Sequence, residues 1–506
     1  AVFVCYLAGM LMVGVYCSRY NKDIGDFVLG GRRLGPWVAA FSAQASDFSG
    51  WLLIGLPAMA YEYGFSLTWT CLGCLSGVMF DWVVLAPRLR RLSAEYGALT
   101  VPDFLEARFN DRTHIIRILA VLIILAYYVT YISAQFIAAG EVFATAFGEQ
   151  RLPWGEGRFL GIEFSYYRQG LLIGATIILL YTALGGFLAV CWTDFVQAIL
   201  MVGTMTAVPI IGVIHLGGFS ELWSAMAAST LSDHMLAVHD GKVGASFVCG
   251  VVIAGLSWGM GYPGQPHIVA RFMAIEDEKK IPKSALISVV WSVFALYGSM
   301  FVGFVALGVL GDDLEHTNRA TPMLAVTLLP GVLAGLVLSA AVAAMMSTVD
   351  SQIIVAVGAV VRDGYQKLLG GQPADRTAIW LSRIVVVVLG AGGLTLAWQA
   401  KSVFAQVLDA WGGLAAGLGP AIVLGCLWRR TSRVGVIVGM MAGVALVQAW
   451  EPLMTILANA GWDRLATHLG STKLFTTVVV NLVLVVLLSL GFPQRAAAPS
   501  PARSRT

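Results

Sequence analysis

Charge is what this sequence contains least of. Only 12% of its 506 residues are Asp, Glu, Lys or Arg, whereas 58% are hydrophobic. A typical soluble domain is roughly 25% charged. A soluble core could not hide so much apolar surface, so most of the chain must face lipid. The scarcity of charge therefore excludes an ordinary soluble protein.

Several chemical motifs are also missing. The sequence has no GxxxxGK[ST] loop for ATP phosphates, and its seven histidines form no HExxH or other metal-spaced pair. The seven cysteines are odd in number and lack the loop spacing of a disulfide framework. Cys71 and Cys74 have a redox-like spacing within an apolar segment, where packing is the favoured interpretation. No soluble catalytic domain is left over, so we expect neither an enzyme nor a nucleic-acid partner.

Long apolar runs are what the sequence does contain. Their length and the lack of period-two alternation predict membrane-spanning helices rather than barrel strands. The first run has no basic region before it and no cleavage site after it, which favours a retained helix over a signal peptide. Thirteen spans are predicted, with approximate limits 1–18, 37–60, 65–86, 115–147, 168–186, 191–215, 244–265, 284–310, 325–361, 380–399, 403–428, 434–451 and 473–491.

Loop charge predicts the orientation of these spans. If the N-terminus lies outside, the inward loops carry roughly three times as many Lys and Arg residues as the outward loops, as the positive-inside rule requires. The small outward set consists of Arg151, Arg158, Arg168, Lys242, Arg319, Lys401, Arg464 and Lys473. We therefore expect the N-terminus outside and the C-terminus in the cytoplasm.

Two of the predicted spans are interrupted by residues that disfavour helix. Ser46, Asp47, Ser49 and Gly50 cluster in the middle of the second span, and residues 257–266 in the seventh contain three glycines and two prolines. An ionisable side chain at this depth is costly unless it is paired or faces water. Broken helices free backbone carbonyls for a cation and N–H groups for an anion. For either stretch alone, a simple kink or a close helix contact is the structural alternative.

Each interrupted span opens a run of five helices. Because five is an odd number, the second run is inverted relative to the first, as in secondary transporters. The predicted organisation is a first helix and loop (1–36), a first repeat (37–216), a second repeat (243–428), two additional helices (429–491) and a disordered cytoplasmic tail (492–506).

A face of small residues on the ninth span extends this pattern. Ala344, Ser347 and Thr348 are spaced i, i+3, i+4 and share one side of a helix. Their two hydroxyls and one carbonyl, together with the main-chain carbonyls of Ala45 and Phe48, would give a small monovalent cation a shell of oxygens. The alternative is a packing seam whose hydroxyls bond back to their own helix.

These and neighbouring stretches closely resemble the bacterial sodium/proline symporters of the solute:sodium symporter family. The likeness runs from the first span to roughly residue 433. It is carried by residues 28–36, 42–57, 185–194, 258–271 and 343–352. The resemblance implies a thirteen-helix protein in a bacterial inner membrane, with ten of the helices forming an inverted-repeat core. It also implies sodium-coupled symport of L-proline into the cell by alternating access, with sodium as the co-transported ion.

The resemblance further implies roles for individual residues. The positions that match sodium ligands are Ala45, Phe48, Ala344, Ser347 and Thr348. The positions that match the lining of a proline pocket are Ser49, Trp51, Tyr131, Trp258, Tyr262 and Pro266. The positions that match other residues important for transport are Asp47, Arg32, Asp194 and Arg271. Phe48 departs from the family pattern, in which Met is common, but only its main-chain carbonyl would serve as a ligand.

A small zwitterion suits these residues chemically. Aromatic side chains would enclose the ring of proline, and amides freed near Ser49 would receive its carboxylate. Alternatives remain for single residues: Tyr131 and Trp258 as core packing, Arg32 and Arg271 as membrane anchors, and Asp194 as a helix cap. For the whole chain, the alternatives are a same-fold sodium symporter for another zwitterion or osmolyte, a membrane solute sensor, or a channel. No role is assigned to the apparent insertion at 149–169.

Overall fold

The computed structural model describes residues 2–18, 24–151, 157–159, 162–182, 186–231, 233–371, 375–399 and 402–493. Within these ranges the regular structure is helical apart from one antiparallel hairpin, in which β1 (Gly157–Phe159) pairs with β2 (Ile162–Phe164). The predicted all-α fold class is confirmed. The hairpin lies in the 149–169 insertion, and the predicted disorder from residue 494 onward falls outside the described residues.

The helices of the first half of the chain surround the first predicted break. They are α1 (Val2–Ser18), α2 (Ile24–Leu29), α3 (Pro36–Gly50), α4 (Leu56–Tyr63), α5 (Thr68–Phe80), α6 (Ala86–Glu95), α7 (Val101–Phe109), α8 (Ile115–Arg151), α9 (Tyr166–Thr182), α10 (Phe187–Leu216) and α11 (Phe219–Ala228). Short π-helical turns join α3 to α4 and α5 to α6, at Trp51–Gly55 and Asp81–Leu85.

The helices of the second half surround the second break. They are α12 (Gly244–Phe247), α13 (Ala254–Leu256), α14 (Pro266–Ala274), α15 (Ile281–Leu310), α16 (Ala320–Leu328), α17 (Gly331–Val357), α18 (Asp375–Gln399), α19 (Val403–Leu427), α20 (Arg433–Asn459), α21 (Asp463–Ser471) and α22 (Lys473–Gly491). A π-helical stretch, Gly358–Leu368, continues α17.

The membrane spans agree with the predicted set. In the described part of the chain, ten helical stretches are long and apolar enough to cross a bilayer. One of them, Pro36–Glu95, is 60 residues long and contains the second and third predicted spans, which meet near Gly64. Two shorter apolar helices, Val2–Val13 and Tyr166–Leu180, coincide with the first and fifth spans. Each of the thirteen predicted spans therefore corresponds to a helix.

Proline accounts for an error at the start of the ninth predicted span. The ninth span was expected to begin at residue 325, but α17 begins at Gly331, and Leu329 before it has extended backbone. Pro330 disfavours helical backbone in the residue that precedes it, so the chain breaks there and leaves α16 as a separate helix.

The interrupted helices lie inside the bundle rather than against lipid. α3 and α10 pack against each other and against both α15 and α17, and α14 contacts both α3 and α17. Small side chains allow this close approach, since residues 42–50 of α3 and 339–354 of α17 are buried throughout. α8 packs against α9, α18 and α19, whereas α20 and α22 pack together and against α19. The two breaks are thereby held at the centre of the molecule.

Candidate functional site

The first break is located at Ser49. This residue has φ 46° and ψ −168°, which is not helical, and it separates α3 from the turn that leads into α4. A serine in this region is strained, and such strain is typical of functional sites. The interruption falls within the predicted range 46–50.

At the second break the chain changes to 3₁₀-helix and the helix then ends. Residues Ser257–Gly264 form 3₁₀-helix, Gln265 is extended with φ −96° and ψ 101°, and α14 starts at Pro266. Proline supplies no N–H and disfavours helical backbone in the residue before it, which explains the position of the stop. The rings of Trp51 and Trp258 stack with centroids 5.1 Å apart. The two breaks therefore face each other.

An all-oxygen cluster joins α3 to α17. The Ser347 hydroxyl donates to the carbonyl of Ala45 at 2.8 Å and to that of Ala344 at 2.9 Å. The Thr348 hydroxyl lies 3.0 Å from the Ser46 carbonyl and 3.2 Å from the Ala344 carbonyl. All five residues are completely buried. The cluster carries no fixed charge of its own, and its oxygens are ligands of the kind that a hard monovalent cation prefers.

Four of the five predicted ion ligands meet in this cluster. The exception is Phe48, whose carbonyl accepts the backbone N–H of Trp51 while its side chain stacks between Trp51 and Trp291. The Ser46 carbonyl was not predicted, although it lies inside the interrupted segment. It accepts a hydrogen bond from the Thr348 hydroxyl. The only indication in the sequence was that Ser46 directly follows Ala45, a predicted ligand.

Aromatic rings enclose the space between the breaks. Trp258 lies 6.0 Å from Trp411 and 5.4 Å from Phe404 between ring centroids, and Tyr262 meets Trp411 edge-on at 4.9 Å. The Trp411 indole donates to the Trp258 carbonyl at 3.1 Å, which fixes that ring. Of the predicted pocket residues, Trp51, Trp258 and Tyr262 lie together here. Pro266 lies just beyond, at the first turn of α14.

Tyr131 and Asp47 lie at the same break. The Tyr131 hydroxyl is 3.4 Å from the Asp47 carbonyl, and its ring meets His267 edge-on at 5.9 Å. Asp47 is buried with the Tyr262 hydroxyl beside its carboxyl, and its Oδ2 has no hydrogen-bond partner among the described residues. An unsatisfied acceptor of this kind would suit a ligand that carries an ammonium group.

The amides freed at the first break are occupied. The Gly50 N–H donates to Oε1 of Gln135 at 2.9 Å, and the Trp51 N–H contacts the Ser49 hydroxyl at 3.1 Å. These groups were expected to be open to a carboxylate, whereas here each already has an acceptor. Sequence reasoning missed Gln135, because one glutamine in a long apolar helix gives no periodic signal.

A buried ion pair lies beside the oxygen cluster, on the side toward Pro36 of α3. Arg271 donates to Oδ2 of Asp194 at 3.0 Å, and both side chains are at most 1% exposed. The Ser42 hydroxyl donates to the same oxygen at 2.7 Å, and Arg271 also contacts Ser351. Asp194 is the eighth residue of α10 and not its cap, and Arg271 is not an exposed anchor. The pair links α3, α10, α14 and α17.

Arg32 closes the end of the bundle that is predicted to be cytoplasmic. Its guanidinium donates to the Met273 carbonyl at 2.7 Å, the Ala98 carbonyl at 2.7 Å, and both oxygens of Ser93 at 3.0 Å. Beside it, the Leu34 N–H donates to the Ala274 carbonyl at 3.1 Å. These bonds join the segment before α3 to the end of α14.

The opposite side of the breaks is open. A cavity of about 640 Å³ extends from Ser257 and Trp258 to Lys242, Glu451 and Lys473, on the side predicted to face outward. The structure thus combines a sealed end at Arg32 with an accessible vestibule above the aromatic rings. This arrangement is expected of a carrier that exposes its central site to one side at a time.

Known proteins share both the sequence and this architecture. The profile of the Sodium:solute symporter family matches residues 27–443. The chain is 35% identical to the sodium/proline symporter of Escherichia coli (strain K12) over 459 residues, which cover 89% of this chain and 87% of that protein. It is 33% identical to the high-affinity proline transporter PutP of Bacillus subtilis (strain 168) over 457 residues, 89% of this chain and 90% of that one.

A solved structure shows the same fold. It is the substrate-bound, outward-open state of a Na⁺-coupled sialic acid symporter, with a TM-score of 0.76, 20% identity and 98% of both chains covered. The family profile and the two relatives each extend over most of the chain. This chain is a sodium-coupled membrane transporter that belongs to the sodium:solute symporter family.

Proposed function

We propose that the protein carries L-proline, or a similar small zwitterion, into the cell together with sodium. The observation that carries the proposal is the buried oxygen cluster between α3 and α17, which lies next to a strained helix break lined by aromatic rings. The named relatives, described as proline transporters, support proline as the first choice.

In this proposal sodium binds at Ala45, Ala344, Ser347 and Thr348, with Phe48 or Ser46 supplying a further carbonyl. The hydroxyls of Ser347 and Thr348 now donate to carbonyls of α3 and α17. A cation among these oxygens would replace those hydrogen bonds and hold the two helices together. Holding α3 in place keeps the adjacent break in its binding conformation, so sodium raises the affinity for the zwitterion. Linkage requires the zwitterion to raise sodium affinity by the same factor.

The zwitterion is placed between the breaks, in contact with Ser49, Trp51 and Tyr131 on one side and Trp258, Tyr262 and Pro266 on the other. The rings would cover its apolar part. The free acceptor of Asp47 suits its ammonium group. The site thereby favours a ligand that combines an apolar part with charged ends.

Alternating access completes the cycle. The vestibule at Trp258 gives access from outside while Arg32, Leu34 and Ala274 seal the inner end. Breaking the inner bonds and closing the vestibule would release both solutes to the cytoplasm. This requires the N-terminus outside and the C-terminus inside, in the inner membrane of a bacterium.

The coupling is energetically sufficient. One cation that crosses about 100 mV releases roughly 2.3 kcal/mol, and a tenfold sodium gradient adds about 1.4 kcal/mol. Together these support an accumulation of a neutral solute of roughly 500-fold when coupling is tight.

Uptake by the purified protein in liposomes tests the proposal. Labelled L-proline should accumulate when an inward sodium gradient is imposed and should not when potassium replaces sodium. Competition by a panel of amino acids and osmolytes should show proline as the strongest competitor. Stronger competition by another zwitterion would assign that solute instead, and the absence of sodium-dependent uptake of any solute in the panel would favour a sensor.

A further inference from the structure

One buried polar side chain at the first break has a free hydrogen-bond donor. Gln135 on α8 is completely buried, and its Oε1 accepts the Gly50 N–H at 2.9 Å. Because an N–H can donate only to the oxygen of a carboxamide, this bond fixes which end of the amide faces Gly50. The remaining end, Nε2, has no hydrogen-bond partner within the described part of the chain.

The position of Gln135 on α8 shows that this side chain lies at the first break. Tyr131, one helical turn earlier on the same face, contacts the Asp47 carbonyl before Ser49, whereas Gln135 contacts Gly50 after it. Packing here is tight, since a Cβ on Gly50 would lie 3.0 Å from the Gln135 oxygen and 3.1 Å from Ala138. The carboxamide is therefore held in one place, with its amide hydrogens directed away from Gly50.

A fixed, buried and unused donor is costly. Leaving such a group unsatisfied carries its desolvation penalty, so a ligand that bonds to it recovers this free energy. The backbone N–H groups of Gly50 and Trp51 already have acceptors. The Trp51 indole N–H is also without a partner among the described residues, but it lies toward Gly55, one turn farther along the chain. Gln135 is thus a free donor on a side chain that contacts Gly50, the residue next to the strained Ser49.

We propose that Nε2 of Gln135 donates a hydrogen bond to the carboxylate of the transported zwitterion. This inference rests on the proposed function and deepens it by assigning the group that recognises the anionic end. Asp47, on the other side of Ser49, offers the free acceptor for the cationic end. The break then presents one donor and one acceptor to the two charges of a single small molecule.

The test compares two ligands in each protein variant. Uptake of labelled L-proline into liposomes at saturating sodium is inhibited with unlabelled L-proline or with L-prolinamide, which lacks the carboxylate. The wild type should prefer proline. Gln135→Met keeps the length of the side chain but removes the donor, so the preference should fall by about tenfold or more. Gln135→Glu places a like charge there, so the preference should fall further or reverse in favour of prolinamide.

The ratio of the two inhibition constants separates ligand contact from structural damage. Loss of the Gly50 bond or poor insertion weakens both ligands together and leaves the ratio unchanged. Ser133→Ala is the matched control, because Ser133 is buried on the same helix but bonds toward Thr130 and Gln406. If a variant takes up too little solute, ligand-induced thermal shifts of the detergent-solubilised protein provide the same ratio.

Two results would overturn the inference, and they are distinguishable. If the wild type takes up proline with sodium and Gln135→Met keeps the wild-type ratio within about twofold, Gln135 does not bind the carboxylate, while the proposed function stands. If the wild type shows no sodium-dependent uptake of proline, the proposed function fails and this inference fails with it.

Discussion

At the scale of single residues, the oxygen cluster is the part of the site that the sequence made most predictable. The i, i+3, i+4 spacing of Ala344, Ser347 and Thr348 requires a shared helix face, and the structure has these residues facing the interrupted α3. Ser46 and Gln135 were not predicted, because their roles depend on which main-chain groups face α17 and α8. Such contacts are set by tertiary packing and leave no pattern along the chain.

Thr348→Ala tests the cluster at this scale. Removing one of the two hydroxyls of the cluster should raise the sodium concentration for half-maximal uptake by about tenfold. This corresponds to a loss of about 1.4 kcal/mol in the free energy of sodium binding. The apparent proline affinity at saturating sodium should change much less. The measurement is initial proline uptake as a function of sodium concentration in liposomes.

Ser339→Ala is the control for that measurement, since Ser339 is buried on the same helix and its hydroxyl bonds to the Gly335 carbonyl one turn earlier. Its sodium activation should match that of the wild type. An unaltered sodium curve for Thr348→Ala would remove Thr348 from the proposed ligands.

At the scale of helices, the existence and approximate limits of the spans could be predicted, because apolar length is a strong signal. The ion pair between Asp194 and Arg271 could not be derived from spacing, since the two residues lie on helices distant in sequence. The alternatives of a helix cap for Asp194 and a membrane anchor for Arg271 were inferred from position along the chain alone, and the structure contradicts both. In the structure these two side chains hold four helices in contact around the oxygen cluster.

The ion pair predicts a non-additive pattern of stability. Asp194→Asn and Arg271→Gln should each lower the free energy of unfolding by about 3–5 kcal/mol, because each leaves a buried charge without its partner. The double variant should be less destabilised than the sum of the two, since neither charge remains. Thermal unfolding of the solubilised protein measures all three.

An exposed pair provides the comparison. Arg91 and Glu278 also form a salt bridge, but Arg91 is 60% exposed. Arg91→Gln should therefore change the free energy of unfolding far less than either variant of the buried pair. Strictly additive effects at Asp194 and Arg271 would show that the two side chains act independently.

At the scale of the whole molecule, the structure is closed at one end and open at the other. The closed end depends on Arg32, whose guanidinium bonds to Ser93 and Ala98 near the end of α6 and to Met273 of α14, whereas the open end leads to Trp258. From the sequence, a role of Arg32 in transport was indicated only by the resemblance to the symporter family. Its geometric role follows from left-handed backbone at Gly30, Gly31 and Arg32, which turns the side chain into the bundle.

Arg32→Ala should shift the molecule toward the inward-open state. We expect faster labelling of a cysteine placed at Ala274, which is now buried, by a membrane-impermeant thiol reagent applied from the side predicted to be cytoplasmic. The background for this experiment is a variant without the seven native cysteines. Proline uptake driven by sodium should fall because the outward-open state becomes less populated.

Arg33→Ala is the neighbouring control, because Arg33 is half exposed and its ionic partner is Asp26 on the same short segment. Its labelling rate should equal that of the unsubstituted background. Equal rates for Arg32→Ala and Arg33→Ala would show that the bonds of Arg32 do not hold the inner end shut.

The backbone at Ser49 has a consequence for how the carrier resets after unloading. A left-handed serine holds roughly 1–3 kcal/mol of conformational free energy, and its surroundings must supply this while the site is open. The Gly50 N–H bond to Gln135 and the contact of the Tyr131 hydroxyl with the Asp47 carbonyl supply part of that support from within the protein. Replacing that serine with glycine should lower the cost of the positive φ, so the resetting carrier would depend less on those contacts to keep the break formed.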